Sequence, residues 1–195
     1  MRYEKGHKES TRRRIVETAA ARFRKDGIEG VGVADLMAEA GLTHGGFYSH
    51  FSSKEELVKA AIDEASAVSA IRFDKRVEEG GLEAWIRAYM RGEHRDHPEK
   101  GCVVAALASE LARRPKEVRK GFSVRLAKVT ASIETYLPAT LAAAHKRKVA
   151  TGIFATLVGA LQMARAVDDP KTSDEILEAG IASALVLAQT KNLAS

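Results

Sequence analysis

Cysteine is nearly absent: Cys102 is the single one in 195 residues. No disulfide can form within the chain, which excludes a disulfide-stapled secreted domain and fits a reducing cytoplasm. Proline is scarce too. Pro98, Pro115, Pro138 and Pro170 all lie in the second half, each where a helical pattern stops or restarts. No stretch alternates β-branched or aromatic residues with polar ones, so strands are not expected. Long hydrophobic runs are missing. The longest aliphatic run, Val103–Ala108, is far too short to span a bilayer. The first ten residues, MRYEKGHKES, lack the apolar core of a secretory signal. A membrane protein is therefore excluded, and membrane is not an expected partner. There is no internal repeat, and no nucleophile–base motif, phosphate loop or paired catalytic carboxylates. An enzyme is not the reading, and no cofactor or metal is expected.

What is present is ordinary globular material with an uneven charge. Hydrophobic residues make up 45% of the chain, enough for a sizeable core in one domain or two small ones. The formal net charge is +5. Residues 1–25 hold nine Lys/Arg against three Asp/Glu, a net of +6, which exceeds the charge of the whole chain. Residues 26–76 carry −4 and residues 77–195 carry +3. A basic end of this kind suits an anionic partner, nucleic acid first, unless it is only a solvated helix face.

The periodicity is helical throughout. From about Ser10 to Lys25, Ile15, Val16, Ala19, Ala20 and Phe23 form one stripe, closed by Asp26-Gly27 with glycine as a left-handed cap. A short helix follows on Val33, Leu36, Met37 and Ala40 and ends at Gly41. Thr43 reads as the N-cap of a third short helix that buries Phe47 and Phe51. Ser53 and Glu56 have capping-box spacing and open a fourth helix through Leu57, Ala61, Ala65, Val68 and Ile71. Gly80-Gly81 marks a turn, after which helices are expected over 82–93, 101–113, 115–137, 142–167 and 173–190. The fold class is all-α.

The second and third helices have helix-turn-helix proportions over about residues 32–51. Gly41 reverses the chain and Leu42 plugs the corner. The second helix of such a unit lies in the DNA major groove. Its outward residues here are His44, Gly45, Gly46, Tyr48, Ser49 and His50, with Lys54 just beyond. Tyr48, His50 and Lys54 are donors suited to phosphates, and His44 suits a base edge. Two glycines in a helix cost roughly 1 kcal/mol each against Ala. Their presence implies that something approaches the backbone closely. The alternative is a structural three-helix unit with no DNA partner.

The stretch Ile15–Leu57, and above all "AGLTHGGFYSHFSSKEEL", resembles the DNA-binding domain of the TetR family of transcriptional repressors. The resemblance implies a DNA-binding domain over residues 8–68 and a helical effector-binding and dimerisation domain over 77–195. It implies that Thr43 caps the reading helix, that His44, Gly45 and Gly46 face the bases, and that Tyr48, His50 and Lys54 hold the backbone. It implies a homodimer on palindromic, double-stranded operator DNA, a small-molecule or electrophilic effector of unidentified structure, and a cytoplasmic location. One departure stands out. Val31-Gly32-Val33 replaces the hydroxyl residue often found near the start of the second helix, leaving backbone N–H groups to reach phosphate there. An effector-independent architectural DNA-binding protein is the alternative.

In the second half, "GCVVAALASELARRP" resembles the electrophile- and oxidant-responsive branch of that family, in which a cysteine triggers release. Cys102 lies at a helix start beside Lys100, a setting that favours the thiolate, or else it is a small buried hydrophobe. Val149, Ile153, Leu157, Leu161 and Ala164, with Ile176, Gly180, Ala184, Leu187 and Ala188, form two stripes that suit a four-helix dimer interface or an intrachain core. Glu93-His94-x-Asp96-His97 reads as solvated loop histidines rather than a metal site. Trp85, Tyr89, Phe122, Tyr136 and Phe154 read as pocket lining or plain core.

Overall fold

A computed structural model describes residues 2–190, and side chains over residues 6–190; the last five residues of the expected second domain lie outside the described residues. Every regular element among them is helical. The order is α1 (Arg2–Asp26), α2 (Val33–Glu39), a 3-10 helix (His44–Ser49), α3 (Lys54–Tyr89), α4 (Gly92–Asp96), a 3-10 turn (Pro98–Lys100), α5 (Val103–Leu111), α6 (Lys116–Glu134), α7 (Ala143–Ala166) and α8 (Pro170–Ala188).

By compactness the chain forms two units. The first comprises residues 1–69 and 98–122, the second residues 70–97 and 123–195. The sequence places residues 98–122 in the second domain; by packing they join the first unit. α3 runs through both. Gly80-Gly81, expected as a turn between helices, leaves helical φ/ψ inside the Lys54–Tyr89 span, so two helices meet there at a kink as expected, and Gly81 has φ +73°, which only glycine adopts without strain.

In the first unit the apolar stripe of α1 is buried as its spacing requires: Ile15, Val16, Ala19, Ala20 and Phe23 are all 6% exposed or less. They meet Leu36 and Met37 of α2, Phe47 and Phe51, and Leu57, Val58 and Ala61 of α3. Val103, Leu107 and Leu111 of α5, with Val118 of α6, belong to the same core. α1 begins eight residues before the expected Ser10, and its first turns lie beyond this core. Gly27 closes it at φ +78°.

In the second unit α7 and α8 pack along their lengths. α7 is long and apolar enough to cross a membrane by length and composition alone. Its Val149, Ile153, Leu157, Leu161 and Ala164 are nevertheless buried within this one chain. The stripe offered as a dimer interface is therefore intrachain core. On α8 the buried face is Ser173, Leu177, Gly180, Ile181 and Ala184, while Ile176, Leu187 and Ala188 are only partly covered. Gly180 permits the close approach: a Cβ there would stand 2.7 Å from the Cβ of Ala160 on α7 and 2.7 Å from Cε of Met90. α8 starts at Pro170 rather than 173, because Asp169 caps it, accepting from the Thr172 N–H at 2.8 Å, and proline fits the first turn.

Candidate nucleic-acid interface

The expected helix-turn-helix forms between Val33 and Ser49. α2 has Gly32 as its N-cap, with no side-chain cap. Gly41 turns the chain at φ +70°, its N–H donating to Ala38 O at 2.9 Å, and the Leu42 N–H donates to Met37 O at 2.8 Å. Leu42 packs on the core from this corner, as its position predicts.

Thr43 has the extended backbone of an N-cap, but its hydroxyl makes no capping bond. The expected side-chain cap is replaced by the backbone: Gly46 N–H donates to the Thr43 carbonyl at 3.0 Å. The following six residues wind as a 3-10 helix. Two adjacent glycines weaken an α-helix here, and a short segment can tighten to i→i+3 bonding. Ser49 supports the turn, its hydroxyl donating to Gly46 O at 2.7 Å.

Phe47 and Phe51 anchor this segment, each 1% exposed, their rings stacked at 5.6 Å. The opposite side faces out. Thr43, His44, Gly45, Tyr48 and Ser49 are exposed, Tyr48 by 67%. His44 and Tyr48 stand edge to face at 6.2 Å. Neither glycine has a positive φ. A Cβ on Gly45 would meet nothing within 4 Å, and one on Gly46 only ordinary contacts with Thr43 and Met37. Nothing within the chain demands glycine at either place.

His50 and Lys54 are half-buried. The His50 Nδ1 is buried without a hydrogen-bond partner. Burial, and then the positive charges of Lys8 and Arg12, push this imidazole below the ordinary histidine range. Lys54 is the first residue of α3, whose capping box has formed with one difference. The Glu56 N–H donates to Ser53 Oγ at 3.2 Å, but the Glu56 carboxylate reaches Ser52, accepting from its N–H and hydroxyl at 2.8 Å each. Those bonds hold the Glu56 carboxyl below its usual range.

Two cations of α1 that the motif does not include stand beside this site. The Arg12 guanidinium lies 4.6 Å above the Phe51 ring. Its continuation of the α1 stripe, one turn before Val16, is the signal that could have found it.

Cys102 is half-buried and is the N-cap of α5, within the first unit. The expected helix start is there; the side chain makes no capping bond. His94 is not a solvated loop residue. It sits in α4 with its ring 4.6 Å from Tyr89 and its Nδ1 2.6 Å from the Tyr89 carbonyl oxygen. Among the described residues no cluster of metal-ligating side chains forms. Of the five candidate aromatics, Trp85, Tyr89, Tyr136 and Phe154 join Phe73 in an aromatic cluster in the second unit. Phe122 belongs to the first unit.

Residues 15–61 match the model of bacterial regulatory proteins, tetR family, and residues 80–180 match that of the tetracyclin repressor-like C-terminal domain. The chain is 31% identical over 86 residues to YfiR of Bacillus subtilis (strain 168), an uncharacterized HTH-type transcriptional regulator. That stretch is 44% of this chain and 42% of the relative, and the chain spans less than half the length of the curated relatives it matches. A TetR transcriptional regulator from Chloroflexus aurantiacus J-10-FL superposes with TM-score 0.75 at 27% identity, covering 96% of this chain and 95% of its own. The reduced form of NemR from E. coli superposes with TM-score 0.73 over 89% of this chain and 94% of its own; at 21% identity it shares the fold.

Proposed function

The chain belongs to the TetR family of bacterial regulatory proteins, and from this we propose that it is a transcriptional repressor, a homodimer that binds a palindromic operator and is released by an effector. The family is one of regulators, so no catalytic residue is assigned. The observation that carries the reading is the outward face of the 3-10 helix: His44, Gly45, Tyr48 and Ser49 stand exposed over the buried Phe47 and Phe51. This face is exposed over a buried aromatic pair. His44 is assigned to a base edge, and Tyr48, His50 and Lys54 to phosphates. Gly45 and Gly46, with Thr43 at the helix start, leave room for the duplex to approach the backbone. The place of action is the cytoplasm.

Two-fold symmetry of the operator requires two heads. With the inner stripes of α7 and α8 used within the chain, the dimer surface is assigned to their outer faces. These carry exposed Ala155, Met163 and Ala166 on α7, and Ala179, Ala182 and Val186 on α8.

A duplex enriched by the wild-type chain from a randomised library tests the reading. His44→Ala with Tyr48→Ala should abolish its preference over a scrambled duplex in fluorescence anisotropy and leave the oligomeric state unchanged. Wild-type preference in that variant would overturn the site assignment.

The effector reading rests on Cys102. It is half-exposed at the start of α5, and α5 shares its core with Phe47 and Phe51. An adduct on its sulfur would disturb the first turn of a helix that supports the reading surface. A thiol electrophile should release DNA from wild type and not from Cys102→Ala. Equal release from both would move the effector site elsewhere. Binding that no effector reverses would favour the architectural alternative.

A further inference from the structure

The face of α1 that packs on the head does not stop where the core stops. Ile15, Val16, Ala19 and Phe23 are buried. Three and four residues earlier on the same face lie Arg12 and Thr11, and one turn before Arg12 lies Lys8. Thr11 is still buried, whereas Lys8 and Arg12 are exposed. The helix therefore continues past the core in unchanged register and exchanges an apolar stripe for a cationic one.

Arg12 reaches the segment that follows the reading helix, and Lys8 lies one turn before Arg12 on the same face of α1. The Arg12 guanidinium lies over Phe51, the residue after His50. The acid at ion-pair distance is Glu56, whose Oε1 stands 3.7 Å away while its Oε2 accepts from the N–H and hydroxyl of Ser52. Lys8 and Arg12 are both close enough to His50 for their charge to act on its imidazole.

We propose that Lys8 and Arg12 form a phosphate clamp that extends the DNA interface from the 3-10 helix onto α1, gripping the backbone of one strand beside each half-site. The proposal rests on the regulator reading above. Four residues along an α-helix are about 6 Å, close to the spacing of neighbouring phosphates on one strand. The phenyl face of Phe51 holds the Arg12 fork in place, so little freedom is lost when it binds. A phosphate oxygen offers Arg12 a short charge-assisted bond in exchange for a 3.7 Å contact with Glu56 Oε1. The basic excess of residues 1–25 thereby acquires a position as well as a sign.

The test is anisotropy of the full chain on the enriched duplex across a salt series. Lys8→Gln should weaken binding several-fold and make the log–log salt slope shallower by about 1.8, because the dimer loses one cation at each half-site. Adding Arg12→Gln should bring the change to about 3.6. Base preference should stay as in wild type, because phosphate contacts carry no sequence information. Lys171→Gln, an exposed lysine of the second unit, should leave the slope unchanged. Arg12→Gln also removes a stacking contact, so Lys8→Gln alone, with an unchanged melting temperature, decides the matter. An unchanged slope in Lys8→Gln overturns the clamp, as does an altered base preference at constant slope. If the His44/Tyr48 variant loses preference while Lys8→Gln keeps the wild-type slope, the clamp fails and the regulator reading stands. If wild type enriches no duplex, both fall.

Discussion

Glu110 and Arg114 do work that no local pattern announces. The Glu110 carboxylate accepts from the Ile28 N–H at 2.8 Å and the Glu29 N–H at 3.3 Å, satisfying backbone donors in the turn after α1. Gly27 is needed twice there: for its positive φ, and because a Cβ would stand 2.8 Å from Glu110 Oε1. Arg114, only 11% exposed, bridges Glu55 at 2.8 Å and Glu29 at 2.5 Å. His94 gives a residue-scale prediction. Burial dominates its shift, aided by the charges of Arg165 and Arg72 and opposed by its bond to Tyr89 O, and its pKa falls to about 4. The folded protein thus resists a proton that the unfolded chain accepts in the ordinary histidine range. Stability should be complete above pH 6.5 and be lost as pH falls toward 4. The expected loss is on the order of 1–2 kcal/mol between pH 7.5 and pH 5, read by urea unfolding at each pH. His94→Gln should reduce that pH dependence; an identical dependence in the variant would remove His94 as its source.

Two glycines of opposite kind decide matters at the scale of elements. Gly45 has open space at its Cβ position and no positive φ. Gly45→Ala should therefore leave stability unchanged or raise it by up to about 1 kcal/mol, and yet weaken DNA binding, because the added methyl meets the duplex and not the protein. A melting curve paired with anisotropy checks this. Unaltered DNA affinity would mean that the glycine serves no close approach. Gly180 is the reverse case, with Ala160 and Met90 each 2.7 Å from the position of a Cβ. Ala160 Cβ belongs to a helix and cannot swing aside as the end of Met90 can. Gly180→Ala should force α7 and α8 apart and cost about 1–3 kcal/mol, visible as a lower Tm. The 3-10 winding of His44–Ser49 was not legible in the residues, because the i, i+4 pair Phe47/Phe51 suits an α-helix equally well.

At the scale of the whole molecule the question is what the outer faces of α7 and α8 meet. Met163 is 60% exposed and Val186 68%, and their neighbours on those faces are small. Gly159 of α7 has nothing within 4 Å of its Cβ position. Small residues with a few large apolar ones suit close helix packing between two copies of the chain. Met163→Lys with Val186→Glu should convert a dimer into a monomer in sedimentation velocity while preserving the helical circular-dichroism spectrum. A dimer that persists in the double variant would place the interface elsewhere.

Helical class, the order of helices, the reversal at Gly41, the caps at Gly27 and Ser53, and the buried Phe47/Phe51 pair were all legible in the residues. These depend on period, φ preference and capping chemistry, which act over a few neighbours. Other features required the tertiary structure. Packing decided that the α7 stripe is used inside the chain, that α5 with Cys102 joins the reading head, and that Glu110 serves a turn 82 residues away. A stripe states that a face will be buried and is silent on what buries it. Partner choice depends on shape and on polar groups brought together from distant parts of the chain, and no local period encodes that.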